Sequence, residues 1–156
     1  MAVTFLDSSA LIKYYHNEVG SPRVQDILGE AGSEHFIARF TLVEILSGLA
    51  KKVRMGVLST QESQQLQERF RADINRRLLR PLRMLNAHFQ MAGHLIDRHG
   101  TSHRLRALDA IQLAVALHLN QTVNVDHFVC ADQDLCSVAL LEGLAVINPR
   151  DISQQP

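Results

Sequence analysis

Four acidic residues of this sequence stand where their chemistry could be used together. Asp7 follows the apolar run VTFL, Glu44 lies within RFTLVEILSGL, Asp109 opens the apolar face of LDAIQLAVAL, and Asp132 follows HFVCA. Singly, each has a structural use. A carboxylate at a helix start accepts from free backbone amides and suits the helix dipole, worth about 0.5–2 kcal/mol. Glu44 even stands three residues after Thr41, the spacing of a capping box. As a set they mean more. Two carboxylates about 4 Å apart repel by roughly 4 kcal/mol at an effective dielectric of 20, so a shared cleft calls for a counter-cation. An oxygen-only donor set, with no thiolate or histidine cluster nearby, suits Mg2+ or Mn2+ better than zinc. Such an ion lowers the pKa of a bound water and neutralises charge building on a phosphodiester, so the implied chemistry is hydrolysis of a phosphate backbone.

Apolar β-prone runs alternating with helical patterns are what could gather those acids. Val3 to Leu6 reads as a strand, followed by a helix over Ser8 to His16. A break at Gly20 to Pro22 precedes a short helix around Val24, Ile27 and Leu28, and a second strand falls near His35 to Ala38. The next helix begins at Thr41 and repeats Leu42, Ile45, Leu46 and Leu49 at helical spacing. Ser59 and Glu62 form a capping-box signal for a long polar helix whose sparse apolar stripe, Leu66, Phe70 and Ile74, predicts that it stands partly proud of the core. Pro81 stops it. A short strand over Leu82 to Leu85 and a helix capped by Asn86 follow, reaching about Arg98. The chain then reads as a helix near Leu105 to Leu119, a strand His127 to Ala131, a helix of about Asp134 to Glu142 and a last strand Leu144 to Ile147. Strands separated by helices require right-handed crossovers and a mainly parallel sheet with helices on both faces. Such sheets bind ligands at the strand carboxyl ends, where Asp7 and Asp132 fall.

In this order and spacing, LDSSALIKYY, TLVEILSGL, LDAIQLAVAL and CADQDL resemble the PIN domain, over essentially the whole chain and closest to the short VapC-type toxins. The resemblance implies a PIN-like α/β/α sandwich with a five-stranded parallel sheet, homodimerisation, Mg2+- or Mn2+-dependent endoribonuclease activity on RNA, and a cognate antitoxin partner in a type II toxin-antitoxin pair. Carried over position by position, Asp7, Glu44, Asp109 and Asp132 match the four acids that bind the metal and position the attacking water. Ser9 matches a small hydroxyl residue that hydrogen-bonds behind the metal ligands, and Asp134 is a further acid with the alternative role of capping the following helix. The family often carries a hydroxyl residue two places before its last acid. Cys130 stands there, which predicts the loss of that hydrogen bond.

The bulk of the sequence sets the frame. At 156 residues and 46% hydrophobic content it predicts one domain over residues 1–150 and a short tail over 151–156, with the SQQP end disordered. No apolar run has membrane-spanning length and the start lacks signal-peptide character, which predicts a soluble cytoplasmic protein with no membrane association. Two cysteines, Cys130 and Cys136, are neither a disulfide framework nor a metal pair. Net charge is zero, so any nucleic-acid contact must come from local patches. Arg76, Arg77 and Arg80, in the run from Arg69 to Arg83, are candidate RNA-binding residues, with a solvated helix face as the alternative. Arg98, Arg104 and Arg106 lie just ahead of Asp109. His99 and His103 have the spacing of a zinc half-site but lack a partner pair. A non-catalytic binding module on the same scaffold, and a metal nuclease of RNA processing or DNA, are the competing functions.

Overall fold

A computed structural model describes residues 1–151; the predicted SQQP tail lies outside the described residues. The elements run β1 (Val3–Leu6), α1 (Ser8–Tyr15), α2 (Ser21–Gly29), β2 (Glu34–Ala38), α3 (Thr41–Arg54), α4 (Thr60–Asn75), β3 (Arg80–Leu82), α5 (Asn86–His99), α6 (Ala107–Thr122), β4 (His127–Val129), α7 (Gln133–Leu141) and β5 (Val146–Ile147). The five strands form one parallel sheet in the order β3-β2-β1-β4-β5. Successive strands step outward from β1 to β3 and then cross to the other side for β4. This reversal between β1 and β4 opens a crevice above their carboxyl ends.

Alternation along the strands divides the core in two. Phe5, Ala38 and Phe128 point to the layer built by α5, α6 and α7, whereas Leu6, Ile37 and Val129 point to the layer of α1 to α4. Because helices cover both faces, the strands are short apolar runs rather than apolar–polar alternations. Phe5 stacks on Phe128 across the central strand pair, with ring centroids 5.8 Å apart. Among the described residues no helix is long and apolar enough to cross a membrane.

Three local expectations are corrected. The third strand begins at Arg80 and contains Pro81, instead of following it, because β3 is the sheet edge where the missing amide is tolerated. Asn86 does not cap α5; the helix starts at Asn86 itself, and the His88 ring accepts the Leu85 amide at 3.1 Å. Thr41 and Glu44 form no capping box, since Phe40 precedes the helix in helical conformation and both side chains engage α6. The Ser59–Glu62 box is formed as the sequence implies.

Candidate functional site

The β1–β4 crevice is where the acids meet. Asp7 ends β1 and caps α1; it is 2% exposed, and its Oδ2 accepts the Ser9 amide at 3.2 Å and the Ser9 hydroxyl. The Ser9 Oγ in turn accepts the Ala131 amide at 3.0 Å, and the Asp7 amide donates to Val129 O at 2.9 Å. One small hydroxyl thus ties the end of β4 to the carboxylate that ends β1. Burial pushes the Asp7 carboxyl up to about 6; the Ser9 hydroxyl opposes this, while the charges of Asp109 and Glu44 add to it.

Asp132 caps α7, accepting the Leu135 amide on Oδ1 at 3.0 Å. Its Oδ2 faces Arg106 Nη2 at 3.4 Å, and the same guanidinium donates from Nε to Asp109 Oδ2 at 2.9 Å. Asp109 lies in the first turn of α6. Glu44, in the first turn of α3, accepts on Oε2 from Gln112 Nε2 at 2.8 Å, and that amide also donates to Thr41 Oγ1 at 2.9 Å. Gln112 is 1% exposed, and its Oε1 is buried without a hydrogen-bond partner.

The sequence marks Arg106 only as one of the arginines ahead of Asp109 that could meet phosphate, and Gln112 is not among its candidates. Gln112 is the one polar side chain in AIQLAVAL, one helical turn beyond Asp109, and that spacing puts both on one face of α6. Asp134 sits in the first turn of α7, but the cap is Asp132. Arg76, Arg77 and Arg80 are not brought to the acids. They occupy the end of α4 and the start of β3, at the opposite rim of the sheet. Arg76 pairs there with buried Asp73 at 2.6 Å, and Arg80 pairs with Glu34. Cys130 and Cys136 are free and buried, and the Cys130 thiol donates to Asp132 O at 3.1 Å. A hydrogen bond is thus made from this position, by sulfur. His99 is engaged by Glu142 at 2.6 Å and is committed to the α5–α7 contact.

Among the described residues no three His, Cys, Asp or Glu side chains are already drawn into a cation-holding cluster. The four acids instead each rest on a protein donor: Asp7 on Ser9, Glu44 on Gln112, and Asp109 and Asp132 on Arg106. The donor chemistry nevertheless fits a hard divalent cation. All four are carboxylates, and the buried one carries a charge that its acidic neighbours disfavour. Each also keeps an oxygen without a backbone partner.

A family model described as the PIN domain matches residues 4–147. Among solved structures the chain is similar to VapC20 of Mycobacterium tuberculosis, a toxin that cleaves the sarcin-ricin loop, with TM-score 0.65 and 13% identity over 93% of this chain and 97% of that one. It is also similar to a toxin-antitoxin complex from Klebsiella pneumoniae, with TM-score 0.62 and 14% identity over 96% and 99% of the two chains. FitAcB from Neisseria gonorrhoeae gives TM-score 0.64 and 17% identity over 94% and 97%. At these identities the likeness is one of fold. No curated protein sequence matches the chain.

Proposed function

This chain belongs to the PIN domain family, and from that premise we propose that it is an endoribonuclease dependent on Mg2+ or Mn2+ and the toxin of a toxin-antitoxin pair. The observation that carries the reading is the buried Asp7 carboxylate, raised to about 6 and facing the charges of Asp109 and Glu44 at the crevice mouth. Two like charges beside a buried carboxylate favour a bound cation over solvent. Asp7, Glu44, Asp109 and Asp132 would hold it. When bound, a divalent cation supplies a water of lowered pKa and neutralises charge on the phosphodiester.

The chain's own residues prepare that site. Ser9 fixes Asp7 through Oδ2 and leaves Oδ1 toward the crevice, apart from a 3.4 Å contact with Ser8 Oγ. The Leu135 amide holds Asp132 Oδ1, so Oδ2 is the oxygen available to a ligand. Gln112 pins Glu44 from the floor of the crevice, which limits the rearrangement needed to use its second oxygen. Residues that hold a carboxylate from behind cost metal affinity when removed, by about 10–100-fold.

The fold shared with VapC20 and with toxin-antitoxin complexes supports an RNA substrate and an antitoxin partner. Exposed Leu140 and Leu141 on α7 and Phe89 on α5 provide apolar surface for a homodimer contact. One observation favours a second reading, a binding module without turnover: Asp109 and Asp132 already have a cationic partner in Arg106. Incubation of labelled single-stranded RNA with Mg2+ or Mn2+, against EDTA, a single-stranded DNA control and Asp109→Asn, separates the two. Cation-dependent RNA cutting that disappears in the variant is the expected result. RNA binding without cutting, unchanged by EDTA, would establish the module instead.

A further inference from the structure

Arg106 is the residue before α6, in extended conformation, so its side chain is free of helical packing and turns toward Asp109 three residues on and Asp132 beyond β4. One guanidinium therefore gathers two of the four carboxylates. On Asp132 it does so at the oxygen that matters, because Oδ1 is committed to the Leu135 amide and Oδ2 is what remains for a cation. We propose that Arg106 and a divalent cation compete for Asp109 Oδ2 and Asp132 Oδ2, and that cation entry hands the guanidinium over to an RNA phosphate. This rests on the metal-dependent ribonuclease reading above.

The physics of the exchange is simple. A guanidinium and a divalent cation within a few ångströms repel, so they do not share one pair of oxygens. The Arg106 side chain is 62% exposed, so its release into water costs little. Of its five N–H donors two are engaged on the acids, and the whole planar fork becomes available once it leaves them. Phosphate is the bidentate partner that such a fork matches best, and it would arrive at this same crevice mouth. Cation and RNA then favour each other's binding, since each stabilises the state in which Arg106 is off the acids.

The test is Mn2+ titration by calorimetry without RNA on wild type, Arg106→Ala and Arg106→Lys, with RNA cleavage rates at saturating Mn2+ for the same three proteins. The expected pattern has opposite signs: Arg106→Ala binds Mn2+ about two- to fivefold tighter than wild type, yet cleaves RNA about tenfold or more slowly, with Arg106→Lys between. Mn2+ affinity that is equal or weaker in Arg106→Ala overturns the competition while leaving the metal site itself standing. Tighter Mn2+ binding with undiminished cleavage overturns the hand-over. Absence of Mn2+ binding in all three proteins overturns both this proposal and the metal-dependent reading beneath it.

Discussion

At the scale of single residues, Asp7 holds a carboxylate in a place that disfavours its charge. Its folded pKa of about 6 lies above the ordinary value of 3.8, so the folded protein binds the proton more tightly than the unfolded chain. Asp7 therefore destabilises the fold fully above about pH 6, and the loss is relieved as pH falls toward 4. Asp7→Asn keeps an oxygen to accept the Ser9 amide and removes the charge. The variant is expected to be more stable than wild type at pH 7.5, by up to about 3 kcal/mol from the size of the shift, with the gain gone near pH 4. Urea unfolding in EDTA at both pH values measures this, and a variant no more stable at pH 7.5 would show that the carboxylate is better solvated than its burial implies. Cleavage should be lost in the same variant. Gln112 likewise serves arrangement, since its buried amide holds both Thr41 and Glu44.

At the scale of elements, α1 carries the Asp7 and Ser9 part of the site at its start, and α4 braces it at its other end. The Tyr15 hydroxyl donates to Asp73 Oδ2 at 2.7 Å, and Tyr15 meets Phe70 edge-on at 5.3 Å between ring centroids. Arg69 lies 4.5 Å over the Tyr14 ring. The polar α4 that the sequence sets partly apart from the core is thus anchored by Phe70 and by Asp73, which is 1% exposed. Tyr15→Phe leaves a buried carboxylate with Arg76 as its remaining charged partner, and is expected to cost about 1–3 kcal/mol in urea unfolding. A loss below a few tenths of a kcal/mol would mean that Asp73 finds solvent and α4 does not brace α1. Gly20, ahead of α2, has φ +96°, and a Cβ there would meet Pro149 O at 2.8 Å; this turn ties α2 to the segment after β5 and tolerates only glycine.

At the scale of the whole molecule, net charge is zero while the acids converge on one rim of the sheet, so a divalent cation acts on the fold locally and not through bulk charge. A ligand that binds only the folded state at one hundred times its Kd adds about 2.7 kcal/mol. For a chain of this size that raises Tm by roughly 5–10 °C. Mn2+ should produce such a rise in wild type, whereas Na+ at matched ionic strength should not, and thermal unfolding followed by circular dichroism reads it directly. No rise at millimolar Mn2+ would leave Asp7 and Asp132 as helix caps and Glu44 and Asp109 as partners of Gln112 and Arg106. The alternation of apolar runs with helical periodicity determined the parallel α/β/α architecture and put Asp7 and Asp132 at strand ends, because side-chain period and chain direction are local properties. The Ser59 cap was legible for the same reason. Which donors the acids rest on was not. Thr41 and Glu44 have capping-box spacing but turn to Gln112, 71 and 68 residues away, and Arg106 spans from Asp109 to Asp132. Likewise the Arg76 to Arg80 run looked available to a phosphate backbone, yet two of its side chains are held by Asp73 and Glu34 at the far rim. The sequence by itself determined the order of strands and helices and the kinds of groups at their ends. Only the tertiary structure decided which groups meet, because the reversal of strand order between β1 and β4 joins segments more than a hundred residues apart, and no local pattern encodes the distance between them.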